Sequence, residues 1–187
     1  MHVLECNKSS SNINNFLQTR WLQARPLLQP SLVPGDNPLI KAIRANNVDL
    51  VKSLLDSGAD AKAIGNNGYT ALMIAVIHDN DKLVKLLLPK SDVKATDDND
   101  YTALMYATRW GTKEMVELIL PESNAKARNN YGWSALMYAA HWGTEEKIKV
   151  LLSKSDPKDR NDYGQTALDI AKARGSKQIV RLLQQYN

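Results

Sequence analysis

The sequence predicts an all-α fold, a solenoid of five stacked helix-turn-helix repeats with an N-terminal helical cap. The main observation is a recurring octapeptide: GYTALMIA is followed by DYTALMYA, GWSALMYA and GQTALDIA, with hydroxyl residues 32 positions apart at Thr70, Thr102, Ser134 and Thr166. A fainter copy, NPLIKAIR, lies upstream at 37–44. A fixed period between about 20 and 50 residues is typical of a stacked array in which each repeat is one supersecondary unit.

Each repeat is predicted to contain two helices, as the copy at 97–128 illustrates. A turn-rich segment at 97–100 leads to Thr102, whose side chain can accept from the free N–H groups at the start of a helix. A short apolar helical face follows. The second helix has apolar residues at helical spacing and ends near Pro121, which Pro89 matches in the copy before.

The end of the first helix is predicted from one position in every copy. That position holds Asn46, Asp79, Gly111, Gly143 and Gly175. Glycine readily adopts the left-handed conformation that terminates a helix, and asparagine and aspartate are next best. We therefore expect left-handed helix ends throughout the array.

These features resemble the ankyrin repeat, a helix-turn-helix unit of about 33 residues with a threonine-proline-leucine-histidine start. The resemblance covers about residues 32–187 and rests on the start motifs at 70–72, 102–104, 134–136 and 166–168, with the glycine-alanine-aspartate turn at 58–60. Alanine replaces the family's proline, and its histidine is replaced by Met73, Met105 and Met137. The resemblance implies a binding scaffold whose turns and first helices line a concave side.

We divide the chain into an N-terminal helical or extended capping segment, 1–31, and a repeat domain, 32–187. The repeats span about 32–64, 65–96, 97–128, 129–160 and 161–187. In the N-terminal segment one helical face holds Ile13, Phe16, Leu17, Trp21 and Ala24. This helix either covers the apolar face of the first repeat or forms a partner-binding or targeting helix. Asp169 and the polar final helix predict a C-terminal cap.

Composition and charge favour an intracellular, cytoplasmic monomer. The chain of 187 residues has 43% hydrophobic and 24% charged residues. It contains no apolar run near the ~20 residues that span a bilayer, and its first residues lack the pattern of a secretory signal. A single cysteine, Cys6, cannot form an internal disulfide, which favours a reducing compartment. The formal net charge is +4, with the excess basic residues in the C-terminal third, which favours acidic partners.

Catalytic, metal-binding and cofactor-binding patterns are missing from the sequence. Three histidines and one cysteine show no metal-ligand spacing, and neither a glycine-rich phosphate loop nor a nucleophile elbow is present. His141 lies near Glu145 and Glu146, but such spacing arises easily by chance in helices. We therefore expect a protein that is not an enzyme and that needs no cofactor.

Candidate partner-binding residues are those that vary between copies on the side expected to be concave. They precede the start motif or the end of the first helix: Tyr69, His78, Tyr101, Arg109, Trp110, Trp133, His141, Trp142 and Arg174. Trp, Tyr and Arg are enriched at the energetic centres of interfaces. The alternative is that these rings stack on one another and stiffen the array. We expect Tyr106 and Tyr138 in the core with hydroxyls at its rim, and Lys147 to extend its amine to solvent.

The function expected is a non-catalytic scaffold or adapter that holds a protein partner against the aromatic side of the third and fourth repeats. The alternative is a binder of single-stranded nucleic acid or another anionic polymer, which would use stacked aromatics and the basic C-terminal third. A regular row of lysines could follow such a polymer, but we expect a solvated edge, because aspartates two residues earlier partly cancel its charge: Lys62, Lys94, Lys126 and Lys158. Salt distinguishes the two functions, because polyanion binding weakens steeply as salt rises.

Overall fold

The computed structural model describes residues 36–186, and these residues form ten α-helices in five pairs. The first helices are α1 (Pro38–Arg44), α3 (Ala71–Ile77), α5 (Ala103–Trp110), α7 (Ala135–Trp142) and α9 (Ala167–Arg174). The second helices are α2 (Val48–Asp56), α4 (Asp81–Leu87), α6 (Lys113–Ile119), α8 (Glu145–Leu152) and α10 (Lys177–Gln184). Strands do not occur within residues 36–186, so the prediction of an all-α repeat solenoid is confirmed.

The hydroxyl residues of the repeated motif cap the first helices, as the sequence predicts. Their side-chain oxygens accept from the backbone N–H three residues on, at 3.2–3.5 Å: Thr70, Thr102, Ser134 and Thr166. Asn37 does the same for α1, where Pro38 takes the first helical position. Each bond satisfies a donor that the helix itself cannot. The motif therefore recurs because every first helix begins in the same way.

The first helices end in two different ways, which corrects the prediction of left-handed ends throughout. Asn46, Asp79 and Gly175 have φ angles of 53°, 53° and 76°, and are left-handed as expected. Gly111 and Gly143 have φ angles of −84° and −81° with extended backbone. Gly143 is needed for space, since a Cβ there would lie 2.5 Å from the Ala139 carbonyl oxygen; at Gly111 a Cβ would lie 2.7 Å from the sulfur of the flexible Met115 side chain and 3.1 Å from the Ala107 carbonyl oxygen, a tighter fit than usual.

The second helices α4 and α6 each continue into a single 3₁₀ turn, Leu88–Lys90 and Leu120–Glu122. Pro89 and Pro121 lie at the starts of these turns, where a missing N–H costs nothing. The two helices end just before these prolines, as the sequence predicts.

Helices of the same kind stack in rows, and the core lies between and within the rows. The first helices contact one another in chain order from α1 to α9, and second helices contact across neighbouring repeats at α2–α4, α6–α8 and α8–α10. The core includes one leucine from each of four repeats and a matching alanine that allows close approach: Leu72, Leu104, Leu136, Leu168, Ala75, Ala107, Ala139 and Ala171. Stacking buries faces that a single pair would expose.

Turns between repeats are held by one side chain that recurs with the same period. Asp97, Asn129 and Asn161 each accept, through Oδ1, from two backbone N–H groups two and four residues on, at 2.9–3.1 Å. Successive turns are also joined by backbone hydrogen bonds, such as the one from the Asn130 N–H to the Asn99 carbonyl at 3.3 Å. The turns are therefore rigid, and they fix the residues that follow them.

The predicted N-terminal cap, residues 1–31, lies outside the described residues. The first described residues form a buried ion pair in which the Arg44 Nε donates to an Asp36 carboxylate oxygen at 2.5 Å. Both side chains are about 1% exposed. Asp36 packs beside Gly65, where a Cβ would lie 3.0 Å from its other carboxylate oxygen.

Candidate functional site

Three successive first helices bring their C-terminal ends together, and the predicted arginines and tryptophans lie there. Trp110, Trp142 and Arg174 are the last residues of α5, α7 and α9, at the same position of each repeat. Arg109 and His141 immediately precede the first two of these. The 32-residue period thus places side chains that are distant in sequence side by side.

Arg109, Trp110, Trp142 and Arg174 form a compact group, which we call the Arg–Trp cluster. The Arg109 guanidinium carbon lies 3.4 Å from the centre of the Trp142 ring and 4.8 Å from that of Trp110. The guanidinium carbon of Arg174 lies 5.3 Å from the Trp142 ring centre. All three distances fall within the range of attractive cation–π contacts. Both tryptophans and Arg109 are half-buried, whereas Arg174 is exposed.

Positive charge in the cluster is not neutralised by acidic side chains within residues 36–186, where neither guanidinium has an ion-pair partner. Burial and the nearby Arg174 lower the pKa of Arg109 to about 10. Burial and the charges of Arg174 and Arg109 lower the pKa of His141 to about 4. His141 is therefore neutral at pH 7, and the two arginines leave a local excess of positive charge.

Several polar hydrogens of this region are buried without an acceptor. The Arg109 Nε and the Trp142 Nε1 have no hydrogen-bond partner in the part of the chain that the structure describes. The His141 Nε2 is also buried without a hydrogen-bond partner among the described residues. Native proteins leave few buried donors unpaired because each costs about 1–3 kcal/mol. Two buried donors of the Arg–Trp cluster, and a third buried nitrogen beside it on His141, are thus left without partners by the described residues.

Inside the stack, aromatic rings form a continuous chain that leads to the cluster. Ring centres lie 4.3–5.9 Å apart at each step along the series Tyr69, Tyr106, Tyr101, Tyr138, Trp133, His141 and Trp142. Such tilted and edge-on pairs contribute about 0.5–1.5 kcal/mol each beyond their burial. The series spans the second, third and fourth repeats. Its His141 ring packs against the Trp142 ring and holds it in place.

Burial divides the predicted binding residues into two groups. Trp133, Tyr101 and His141 are only 2%, 4% and 8% exposed, so the expectation that they face a partner is wrong. They are buried because Tyr138 covers both Trp133 of its own repeat and Tyr101 of the repeat before, and Trp142 covers His141. Tyr69, at the other end of the series, and His78, directly after α3, are half-buried. Burial also lowers the pKa of His78.

Tyr106 and Tyr138 are core residues, as expected, but their hydroxyls do not reach the rim. The Tyr106 hydroxyl donates to the Asp97 carboxylate at 2.5 Å, and the Tyr138 hydroxyl donates to Tyr101 at 2.9 Å and accepts from the Asn129 amide at 2.9 Å. The turn residues Asp97 and Asn129 therefore also hold the aromatic series. Sequence analysis missed this role, although the 32-residue spacing of Asp97, Asn129 and Asn161 was visible.

The sequence of the chain also matches a known protein family. The family model described as ankyrin repeats (3 copies) matches residues 6–97, 39–128, 80–162 and 104–187 in overlapping segments. Together these matches cover nearly the whole chain. The chain belongs to the ankyrin repeat family. Ankyrin repeats generally mediate protein–protein interaction, and the family is typically non-catalytic.

Individual relatives of this ankyrin repeat protein match over short stretches. The mitochondrial disaggregase of Bos taurus is 51% identical over 53 residues, which are 28% of this chain and 8% of that protein. Its Homo sapiens counterpart is 47% identical over 53 residues, with the same coverage. Ankyrin repeat protein 14 of Vaccinia virus (strain Western Reserve) is 46% identical over 55 residues, which are 29% of this chain and 23% of that protein. The chain thus matches less than a quarter of each relative's length.

Lys147 is buried rather than extended to solvent, which corrects the expectation for this side chain. It is 8% exposed, and its Nζ donates to the Thr108 carbonyl at 3.2 Å. That carbonyl belongs to the last turn of α5, where helices lack internal donors. Burial lowers the pKa of Lys147. Lys147 therefore ties α8 to the end of α5, immediately before Arg109 and Trp110.

The lysine row forms a solvated edge of the ankyrin array. Each of its backbone N–H groups donates to an acidic or amide side chain two residues earlier, at 2.9–3.1 Å: Asp60, Asp92, Asn124 and Asp156. Three of these four partners are carboxylates, so the positive charge of the row is largely balanced. The row therefore lacks the unbroken positive charge that follows a polyanion.

Residues 36–186 contain no group of three metal-ligating side chains, and none of their helices is long and apolar enough to span a bilayer.

Proposed function

We propose that this ankyrin repeat protein binds a protein partner through the Arg–Trp cluster. The observation that carries the proposal is the position of Arg109, whose guanidinium carbon lies 3.4 Å from one tryptophan ring centre and 4.8 Å from another. Trp and Arg are the residue types that most often dominate interface energies, with single anchors contributing about 2 kcal/mol or more. Here four of them meet at one surface.

Rigidity supports the proposal, because an anchor that is already ordered loses little entropy on binding. The Trp142 ring packs against the His141 ring, with 4.3 Å between ring centres. The His141 ring packs in turn against the buried Trp133 ring. Lys147 fixes the backbone at Thr108, next to Arg109. A partner would therefore meet side chains that are already in place and partly exposed.

Charge and hydrogen bonding favour a protein over an anionic polymer. The basic groups of the cluster are confined to two arginines, and the lysine row is balanced by its own acidic neighbours. A polymer of phosphates or sulfates needs positive charge along its whole path. A protein needs only a small, rigid, mixed apolar and charged patch, which is what the cluster offers.

The proposal is tested by quantitative capture from a lysate of the source cells with three forms of the full chain. These are the wild type, a Trp110→Ala/Trp142→Ala double variant and a Tyr186→Ala control, whose tyrosine is 48% exposed at the end of α10 and lies outside the cluster. Circular dichroism establishes that each form is folded. We expect a partner that the wild type and the control retain and the double variant loses.

Equal retention by all three forms would refute the cluster as the binding site. Capture of nucleic acid by the wild type, with release at moderate salt, would favour the polyanion function instead.

A further inference from the structure

We propose that the partner binds through an acidic segment, one carboxylate of which pairs with Arg109 and Arg174 beside the Trp142 ring. This inference deepens the proposed function and rests on it. It adds the chemistry of the partner, which the family does not specify. The charge of the two arginines, the hydrogen-bond donors of the cluster and the apolar surface beside them all support this partner chemistry.

Arg109 and Arg174 differ from the basic residues of the three surface ion pairs within residues 36–186, because they have no carboxylate partner. Arg128 pairs with Asp162 at 3.0 Å, and Lys113 and Lys149 pair with glutamates one helical turn away at 2.9 and 2.6 Å. Arg109 and Arg174 have no such carboxylate within the described residues, although both lie over the same ring. A carboxylate from outside would therefore complete a site that the chain leaves positive.

The ends of the helices do not cancel this charge. A helix C-terminus carries about half a negative charge, and α5, α7 and α9 all end here. The carbonyl end of α5 is already used by Lys147, which donates to Thr108. The ends of α7 and α9 together offset about one of the two guanidinium charges. Roughly one positive charge is left for a ligand.

Hydrogen-bond donors at the cluster match a carboxylate. An ionised carboxylate is acceptor-only and has about four lone-pair sites, which suit the planar fork of an arginine. Arg109 is half-buried and Arg174 is exposed, so a ligand can reach both guanidinium groups from solvent. The Arg109 Nε and the Trp142 Nε1 already lack acceptors within residues 36–186, and small shifts on binding would let them pair.

The neighbouring groups define the rest of the segment. The half-buried rings of Trp110 and Trp142 flank the charged position and offer apolar area. A bulky apolar residue beside the carboxylate would cover them and exclude water from the ion pairs, which strengthens these pairs. The expected ligand is a peptide segment in which Asp or Glu adjoins an aromatic or large aliphatic residue.

The test uses a phage-displayed library of random peptides of about twelve residues, selected on the full chain. Peptides retained by the wild type are then synthesised, and their Kd values are measured by fluorescence anisotropy. We expect enrichment of Asp or Glu beside an apolar residue. We expect Kd to rise about tenfold for Arg174→Gln and up to about a hundredfold for Arg109→Gln, because hydrogen bonds to charged groups are among the strongest. Arg109→Lys, which retains charge but loses the fork, should lie between the wild type and Arg109→Gln.

A double-mutant cycle identifies the contact itself. Replacing the acidic residue of the peptide by its amide should weaken binding to Arg174→Gln about tenfold less than it weakens binding to the wild type, because only Arg109 is left to pair with the carboxylate in that variant. Arg174 is exposed, so this variant is expected to fold even if changes at Arg109 disturb the array.

Each remaining outcome counts against the inference. Selected peptides without acidic residues, which still lose binding to Trp110→Ala/Trp142→Ala, would overturn the acidic segment and leave the proposed function standing. Peptides that bind this double variant as well as the wild type, or no enrichment at all, would count against both. Displacement of an acidic peptide by oligothymidylate, with a steep salt dependence, would assign the site to polyanions instead.

Discussion

His141 provides a sharp test of the electrostatics of the cluster. It is 8% exposed, and burial with the charges of Arg174 and Arg109 lowers its pKa from the ordinary 6.5 to about 4. The unfolded chain therefore binds this proton at higher pH than the folded protein does. Between about pH 6.5 and pH 4 the unfolded state binds more protons, so the stability of the folded state falls as pH falls.

The size of this effect follows from the pKa difference. One pKa unit corresponds to about 1.4 kcal/mol, so a shift from 6.5 to about 4 gives at most on the order of 3 kcal/mol of lost stability. Because the surface of the cluster is open to water, we expect about 1–2 kcal/mol. The matched variant is His141→Gln, which keeps a polar side chain of similar size but has no proton to gain in this range.

The assay is urea unfolding, followed by circular dichroism, of the wild type and His141→Gln at several pH values from 4 to 7. Contributions from other groups, such as His78 and Asp97, are common to both proteins and cancel in the difference. The stability of the wild type relative to the variant should decrease by about 1–2 kcal/mol as pH is lowered. A difference that stays constant from pH 7 to pH 4 would refute the reasoning, because His141 would then titrate as in the unfolded chain.

Three further predictions concern packing and buried polar groups, and all are checked by the free energy of unfolding at pH 7. Trp133→Ala should cost about 3–5 kcal/mol because the ring is buried, whereas Trp142→Ala should cost about 1–2 kcal/mol; equal costs would contradict the assignment of one ring to the core and the other to the surface. Burial raises the pKa of Asp97, so the ionised group is disfavoured in the folded protein. Asp97→Asn should therefore stabilise the fold by about 1 kcal/mol, and Asn129→Asp should destabilise it by about 2 kcal/mol. The opposite signs would refute the shared role of the two residues. Lys147→Met should stabilise by about 1 kcal/mol, since neighbouring repeats have apolar residues there; a loss of stability would show that the bond to the Thr108 carbonyl contributes more than burial of the charge costs.

Features set by local chemistry could be predicted from the sequence. The caps at Thr102 and Ser134 follow from the hydroxyl residue before each apolar run, and the bonds at 3.3 and 3.5 Å bear this out. The end of α6 before Pro121 follows in the same way from the ring of proline. Each of these depends on a few neighbouring residues, so a single repeat contains all the information needed.

Burial and close approach of side chains from different helices and turns could not be predicted so well. Trp133 is buried because Tyr138 of its own repeat and His141 cover it, with ring centres 5.1 and 5.9 Å away. Gly111 and Gly143 were expected to be left-handed, but both are extended, and at Gly143 the approach of the Ala139 backbone, not the φ angle, requires glycine. Such contacts depend on the exact spacing of elements, which the period alone does not supply.

One repeat position illustrates how an array built for a common fold acquires a particular surface. The position two residues before Asp79, Gly111, Gly143 and Gly175 holds Ile77, Arg109, His141 and Ala173 in successive repeats. Identical backbone positions therefore carry an apolar, a cationic, an aromatic and a small side chain. Since neighbouring repeats stack, the exposure of each depends on the next: the Arg109 guanidinium lies over Trp142, and Trp142 lies against His141. Exchanging the third or fourth repeat for another would keep the fold but remove the contact between Arg109 and Trp142. Recognition at the cluster therefore depends on the order of the repeats and not on any single repeat.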